Sequence, residues 1–182
     1  MTSFQAIPPE FSRPFAIDDI ESKGSSIELV ADAAERRRLA ERFDLMSLDR
    51  LVARLTVTRG ASGIPIRVRG RLQASVVQSC VLSLEPVASE IDEAVEAEYG
   101  PASNEGPEEI FHLDQPEPPE PLEGDSLELG ELVAQHLSVA LDPYPKKPGV
   151  EPPEWGKPGP AEGAEKPDNP FSVLASLRKK GS

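Results

Sequence analysis

From Leu48 onward the chain alternates apolar and polar residues with a period of two, the pattern of strands buried on one face. Leu51, Ala53, Leu55 and Val57 point one way, and Val52, Arg54, Thr56 and Thr58 point the other. Arg59-Gly60-Ala61-Ser62-Gly63 is a turn by composition. A second strand follows, with Ile66, Val68, Gly70, Leu72, Ala74 and Val76 on one face and Arg67, Arg69, Arg71, Gln73 and Ser75 on the other. Pro65 removes a backbone donor, which a strand start tolerates. A third strand is expected from Val87 to Tyr99, with Val87, Ile91, Val95, Ala97 and Tyr99 inward and Ala88, Glu90, Asp92, Ala94, Glu96 and Glu98 outward. For the apolar faces to coincide, even positions of the second strand must oppose odd positions of the third. That parity places Arg69 near Glu96 or Glu98 and Arg71 near Glu96, each such pair worth about 0.2–1 kcal/mol. It also places Arg54 near Arg67 or Arg69, where like charges oppose.

The flanking elements follow from the same kind of pattern. Phe11, Phe15 and Ile17 around Pro14 suggest a short extended segment, and Ser26–Val30 alternates like another strand. Asp32 with Glu35 three residues on is an N-cap signal, and Leu39 and Phe43 share a face of the helix it starts. Leu129, Leu132, Val133, His136, Leu137, Ala140 and Leu141 form one helical stripe, stopped by Asp142-Pro143. This helix, about 130–141, is expected to cover one face of the sheet. Asn169 as N-cap, Pro170 in the first turn, and Phe171, Leu174 and Leu177 as a stripe read as a short amphipathic helix. Arg178, Lys179 and Lys180 then sit where the helix dipole favours cations.

The expected fold is α+β: an antiparallel, strongly curved, barrel-like sheet with one main packing helix and a second short one. The expected organisation is a flexible 1–9, a single domain over 10–142, a disordered proline-rich linker over 143–167 and the terminal motif over 168–182. Within the domain, 100–125 reads as an acidic, proline-rich flexible loop, in which Ile110–Leu113 offers a brief return to the sheet. Twenty prolines, fifteen of them from Pro101 onward, confine the core mainly to the first hundred residues.

Charge changes the picture most. Between Leu72 and Pro145 there are seventeen Asp and Glu and no Lys or Arg. Residues 1–71 carry twelve basic against ten acidic side chains, and 146–182 seven against five, so the formal charge of -13 resides in the middle. Such a body repels phosphate backbones and attracts basic proteins over roughly a Debye length. No apolar run approaches the roughly eighteen residues of a membrane span, and the N-terminus does not read as a secretory signal, so a cytoplasmic protein with no membrane partner is expected.

Few side chains suggest chemistry. The lone Cys80 excludes an internal disulfide and a multi-cysteine zinc site, and its parity marks a small buried residue. His112 and His136 are far apart, without a Ser or Cys partner, and His136 lies on the apolar stripe. Arg54, Arg67, Arg69 and Arg71 form a basic stripe able to hold phosphates, yet it has no interleaved aromatics on which bases could stack. Internal ion pairs compete with that use. Arg36, Arg37, Arg38 and Arg42 on the first helix are another candidate contact, against the plainer reading of a solvated face.

Two stretches taken together resemble a known family. One is Val76-Val77-Gln78-Ser79-Cys80-Val81-Leu82-Ser83-Leu84-Glu85-Pro86-Val87, followed by the acidic strand and by Leu129 to Pro143. The other is the tail from Asn169 to Lys180. In this order they resemble the bacterial YceD family, the large ribosomal RNA subunit accumulation proteins. The resemblance implies a role in accumulating or processing large-subunit ribosomal RNA, a gene neighbour encoding a large-subunit ribosomal protein, and no catalytic residues. Many relatives carry Cys-x-x-Cys at the turn and a later cysteine, suggestive of a metal site. Here Ser83 takes the second position and no cysteine follows, so a metal role does not carry over.

The resulting expectation is a monomeric, non-enzymatic factor without cofactor or metal. Glu90, Asp92, Glu96 and Glu98, with the terminal motif, would bind a basic ribosomal protein or assembly factor of the large subunit. The alternative is direct ribosomal RNA binding through Arg54, Arg67, Arg69 and Arg71. An enzyme, such as a nuclease, is the weakest reading, since no base stands among clustered carboxylates.

Overall fold

A computed structural model describes residues 9–60, 62–101, 119–122 and 124–151. The expected 1–9 tail up to Pro8, the brief return to the sheet at 110–113, most of the acidic loop and the terminal motif from Asn169 to Lys180 lie outside the described residues. The described residues up to Val150 form one compact unit.

The elements run β1 (Pro14–Ala16), β2 (Ser25–Val30), α1 (Ala33–Arg42), β3 (Ser47–Arg59), β4 (Ile66–Ser79), β5 (Pro86–Gly100), β6 (Glu120–Pro121), β7 (Ser126–Glu128) and α2 (Leu129–Ala140). Two sheets result, a β1–β7 ribbon and a five-stranded sheet in the order β2-β3-β4-β5-β6. All pairings are antiparallel except the two-residue β5–β6 contact.

α1 starts where its sequence signal says. Asp32 Oδ1 accepts from Ala34 and Glu35 N–H at 2.8 Å, and Glu35 Oε2 accepts from Asp32 N–H at 2.8 Å. The helix ends as Asp44 takes a left-handed φ of 53° and Leu45 N–H returns to Ala40 O at 2.9 Å. α2 buries Leu129, Leu132, Val133, Ala134 and Leu137.

One face of the five-stranded sheet forms the core. Leu51, Ala53, Leu55 and Val57 of β3, Ile66, Val68, Leu72, Ala74 and Val76 of β4, and Val95 of β5 are buried with Leu39 and the α2 stripe. The opposite face is largely open and polar. Strict alternation would turn Leu48 outward, yet it is buried, because the β3–β4 register shifts between Leu48 and Arg50. The extra residue at Asp49 is a bulge that flips the phase of the strand start.

The barrel-like, strongly curved sheet is corrected: the sheet stays open. Closing a barrel requires its two edge strands to pair, whereas here β2 and β6 end the order at opposite sides. β6 has only two residues, one of them a proline without an N–H. Burial on one face alone also suits an open antiparallel sheet.

Candidate functional site

The open face is a grid of cross-strand partners. Glu28, Arg54, Arg71 and Ala94 lie in one row; Thr56, Arg69 and Glu96 in the next; Thr58, Arg67 and Glu98 in a third. All four arginines of the predicted stripe are therefore on this face, as are Glu90, Asp92, Glu96 and Glu98. The terminal residues Asn169, Pro170, Phe171, Leu174, Leu177, Arg178, Lys179 and Lys180 fall outside the described part.

Most of the arginines are already engaged. Arg67 Nε meets Glu98 at 2.7 Å, Arg71 Nε meets Asp92 at 2.8 Å, and Arg54 Nη2 meets Glu28 at 2.7 Å. The Arg71 bond is the main reason the Asp92 carboxyl is held below the ordinary 3.8, with burial opposing and Gln73 helping. Arg69 faces Glu96 directly but makes no ion pair within 4.0 Å among the described residues. Among the described residues the Glu90 carboxylate accepts only from Ser75 Oγ, at 2.8 Å. Described cations thus pair with Asp92 and Glu98, while Glu90 and Glu96 make no ion pair within 4.0 Å among the described residues. This surface of β5 is acidic.

Two pairings differ from the parity argument. Arg54 stands opposite Arg71, not Arg67 or Arg69, and Arg71 stands opposite Ala94 while bonding Asp92. The β3–β4 loop spans residues 60–65, closed by Gly60 N–H to Pro65 O at 2.9 Å, which moves the pairing along by two residues. Glu28 on β2 relieves the resulting arginine pair, a partner that alternation within the hairpin alone did not reveal. Between Arg54 and Arg71 lies a hollow of about 310 Å³, also lined by Val52, Gly70 and Gln73.

The other candidates are placed differently. Arg42 holds Glu131 through two bonds of 2.9 and 2.7 Å and also reaches Glu10, so it ties α1 to α2. Arg38 donates to Glu10 O and Arg36 to Ala31 O, whereas Arg37 stays exposed, 4.0 Å from Glu41. His136 Nδ1 lies 3.1 Å from Leu132 O while Nε2 accepts from Glu96 N–H at 3.4 Å, so the neutral Nδ1–H tautomer satisfies both. Cys80 is buried, and its thiol is drawn down to about 6 by the otherwise unpartnered Ser83 hydroxyl and then by Lys147 N–H, against burial. Residues 143–150, whose composition carried no packing signal, lie along this turn: Val81 N–H donates to Pro145 O and Lys147 Nζ to Glu85. Among the described residues no three of His, Cys, Asp and Glu gather as metal ligands, and no helix is long and apolar enough to cross a membrane.

A family model described as large ribosomal RNA subunit accumulation protein YceD matches residues 68–178, more than half of the chain. The chain belongs to the YceD family. The match begins within β4 and takes in the Cys80 turn, β5, α2 and most of the terminal motif, so the acidic strand lies inside the region that defines YceD proteins here. β1, β2, α1 and β3 precede it. No curated protein and no solved structure matches the chain.

Proposed function

We propose that this protein assists maturation of the large ribosomal subunit, and so the accumulation of 23S ribosomal RNA, without catalysis. It does so by holding a basic ribosomal protein or assembly factor on the acidic surface of β5. The observation that supports this reading is the uneven neutralisation of the open face: Arg54, Arg67 and Arg71 pair with Glu28, Glu98 and Asp92, while Glu90 and Glu96 make no ion pair within 4.0 Å among the described residues, although Arg69 stands opposite Glu96. Attraction of this kind speeds encounter and selects partner sign more than it adds affinity. The test is binding of purified basic large-subunit ribosomal proteins across a salt series. Glu90→Lys with Glu96→Lys is expected to weaken binding about tenfold or more at low salt and to flatten the salt dependence. Binding indifferent to both changes rules the reading out.

A second reading, direct RNA binding, is favoured by one observation, the hollow between Arg54 and Arg71 with Arg69 beside it. Arg69→Ala combined with Arg54→Ala would then reduce retention of a ribosomal RNA fragment and flatten its salt slope.

A further inference from the structure

β5 is a long strand whose outer edge is mostly bare among the described residues. β6 pairs with it only at Tyr99 and Gly100. Gly100 O accepts from Leu122 N–H at 2.9 Å, and Glu96 N–H reaches His136 Nε2 at 3.4 Å, so both residues point away from β4. In an antiparallel ladder a residue turns its N–H and C=O to the same side, and the side alternates along the strand. Ala88, Glu90, Asp92 and Ala94 therefore also direct theirs outward. Among the described residues only Asp92 O meets a donor there, Arg71 Nη2 at 3.3 Å. From Ala88 to Ala94 the protein presents a row of open backbone donors and acceptors, the geometry that accepts an added strand.

The usual blocks to such pairing are missing. The β4–β5 register runs without a shift from Pro86 to Tyr99, so no bulge twists the edge away. No proline follows Pro86 within β5, and no lysine or arginine lies on it. Negative charge takes their place. Glu90 and Asp92 stand on the open face beside the outward backbone groups, and Glu93 is exposed on the other face. A second copy docking edge to edge would bring these carboxylates against their own kind, and a polynucleotide would bring phosphates against them. An extended segment with a cation at alternate positions does neither.

We propose that Ala88–Ala94 of β5 takes up an extended, lysine- or arginine-rich segment of a partner protein as an added strand. Its basic side chains lie over Glu90 and Asp92, and its alternate small or apolar ones lie beside Ile91, which is half-buried against the core. The inference rests on the reading that this acidic region holds a basic protein, and it adds the mode of holding.

The test uses the full chain and a peptide of about eight residues alternating lysine with valine. Three companions are a glutamate-for-lysine peptide and two versions of the lysine peptide, each methylated on one of the two alternate sets of backbone nitrogens. The lysine peptide is expected to bind and to slow amide exchange at Ala88, Glu90, Asp92 and Ala94 by about tenfold or more, while the glutamate peptide and one of the two methylated peptides, the one whose methylated nitrogens face β5, do not. Ala94→Pro removes an outward N–H and no bond to β4, and is expected to weaken binding about tenfold, whereas Ala94→Ser retains it. Glu90→Lys, which leaves the backbone alone, is expected to weaken the lysine peptide and admit the glutamate one. Binding that survives methylation of each set in turn, and Ala94→Pro, overturns strand addition and spares the electrostatic reading. Loss of the lysine peptide with basic ribosomal protein still bound likewise overturns strand addition alone; loss of both overturns both. A dimer abolished by Ala94→Pro would make a second copy the occupant and also overturn the proposal.

Discussion

Gly130, in the first turn of α2, has no room for a side chain, because a Cβ there would lie 2.1 Å from Phe11 O. Alanine would gain about 1 kcal/mol of helix propensity. It would also push away the segment whose Arg13 O accepts from Leu129 N–H at 3.1 Å. Overpacking against backbone costs about 1–3 kcal/mol, so Gly130→Ala is expected to lower the melting temperature; a rise would show that the segment yields freely. Glu35 is buried, and the bidentate Arg13 bond first of all holds its carboxyl below the ordinary 4.5. A lowered carboxyl favours the fold above the ordinary value and loses that contribution as pH falls through the folded one. Glu35→Gln is therefore expected to destabilise at neutral pH by about 2 kcal/mol, with the gap to wild type narrowing below pH 4.5 in denaturant titrations. For Cys80 the folded value near 6 lies under the ordinary 9.0, so the thiolate supports the fold fully above pH 9 and progressively less down to pH 6. Thiolate absorbance of the folded protein is expected to titrate near pH 6.

At the scale of elements, α2 and β4 carry the core, and their worth differs by face. Leu137 is fully buried, while Val139, two positions on, is 86% exposed. Leu137→Ala is expected to cost about 3 kcal/mol in urea unfolding, and Val139→Ala less than about 0.5 kcal/mol. The faces of β3, β4 and β5, the capping box of α1 and the stripe of α2 were legible in the sequence because each depends on residues a few positions apart. The Asp49 bulge was not, since a phase flip before Leu51 looks like one more ambiguous apolar residue. Nor was the β1–β7 ribbon, whose partners are separated by more than a hundred residues. Gly70 is a further case: alternation counts it as an inward position, but a Cβ there would sit 2.0 Å from Arg54 O, so the close approach of β3 and β4 requires glycine.

For the whole molecule the separation of charge decides which partners are favoured. The acidic middle was plain in the sequence, as was the family, but which carboxylates make ion pairs was not. Asp92 and Glu98 look identical to Glu90 and Glu96 along the chain; the register sets Arg67 opposite Glu98 and Arg69 opposite Glu96 alike, and only the side-chain contacts of Arg67 with Glu98 and of Arg71 with Asp92 distinguish them. Asp92→Ala and Glu98→Ala free Arg71 and Arg67, so these two changes are expected to raise retention on a ribosomal RNA fragment at low salt, measured by filter binding. Unchanged retention would mean that the freed guanidinium groups are not presented to a polynucleotide.

The amino-acid order by itself determined the strand faces, the helix boundaries, the sign of each region and membership of the family, all of which rest on local spacing or motif. Tertiary structure alone decided that the sheet stays open, that Arg54 leans on Glu28, and that β5 keeps a mostly bare edge among the described residues. These outcomes depend on where loops of particular length bring distant strands together. Backbone groups that look the same at every residue become paired or unpaired only then.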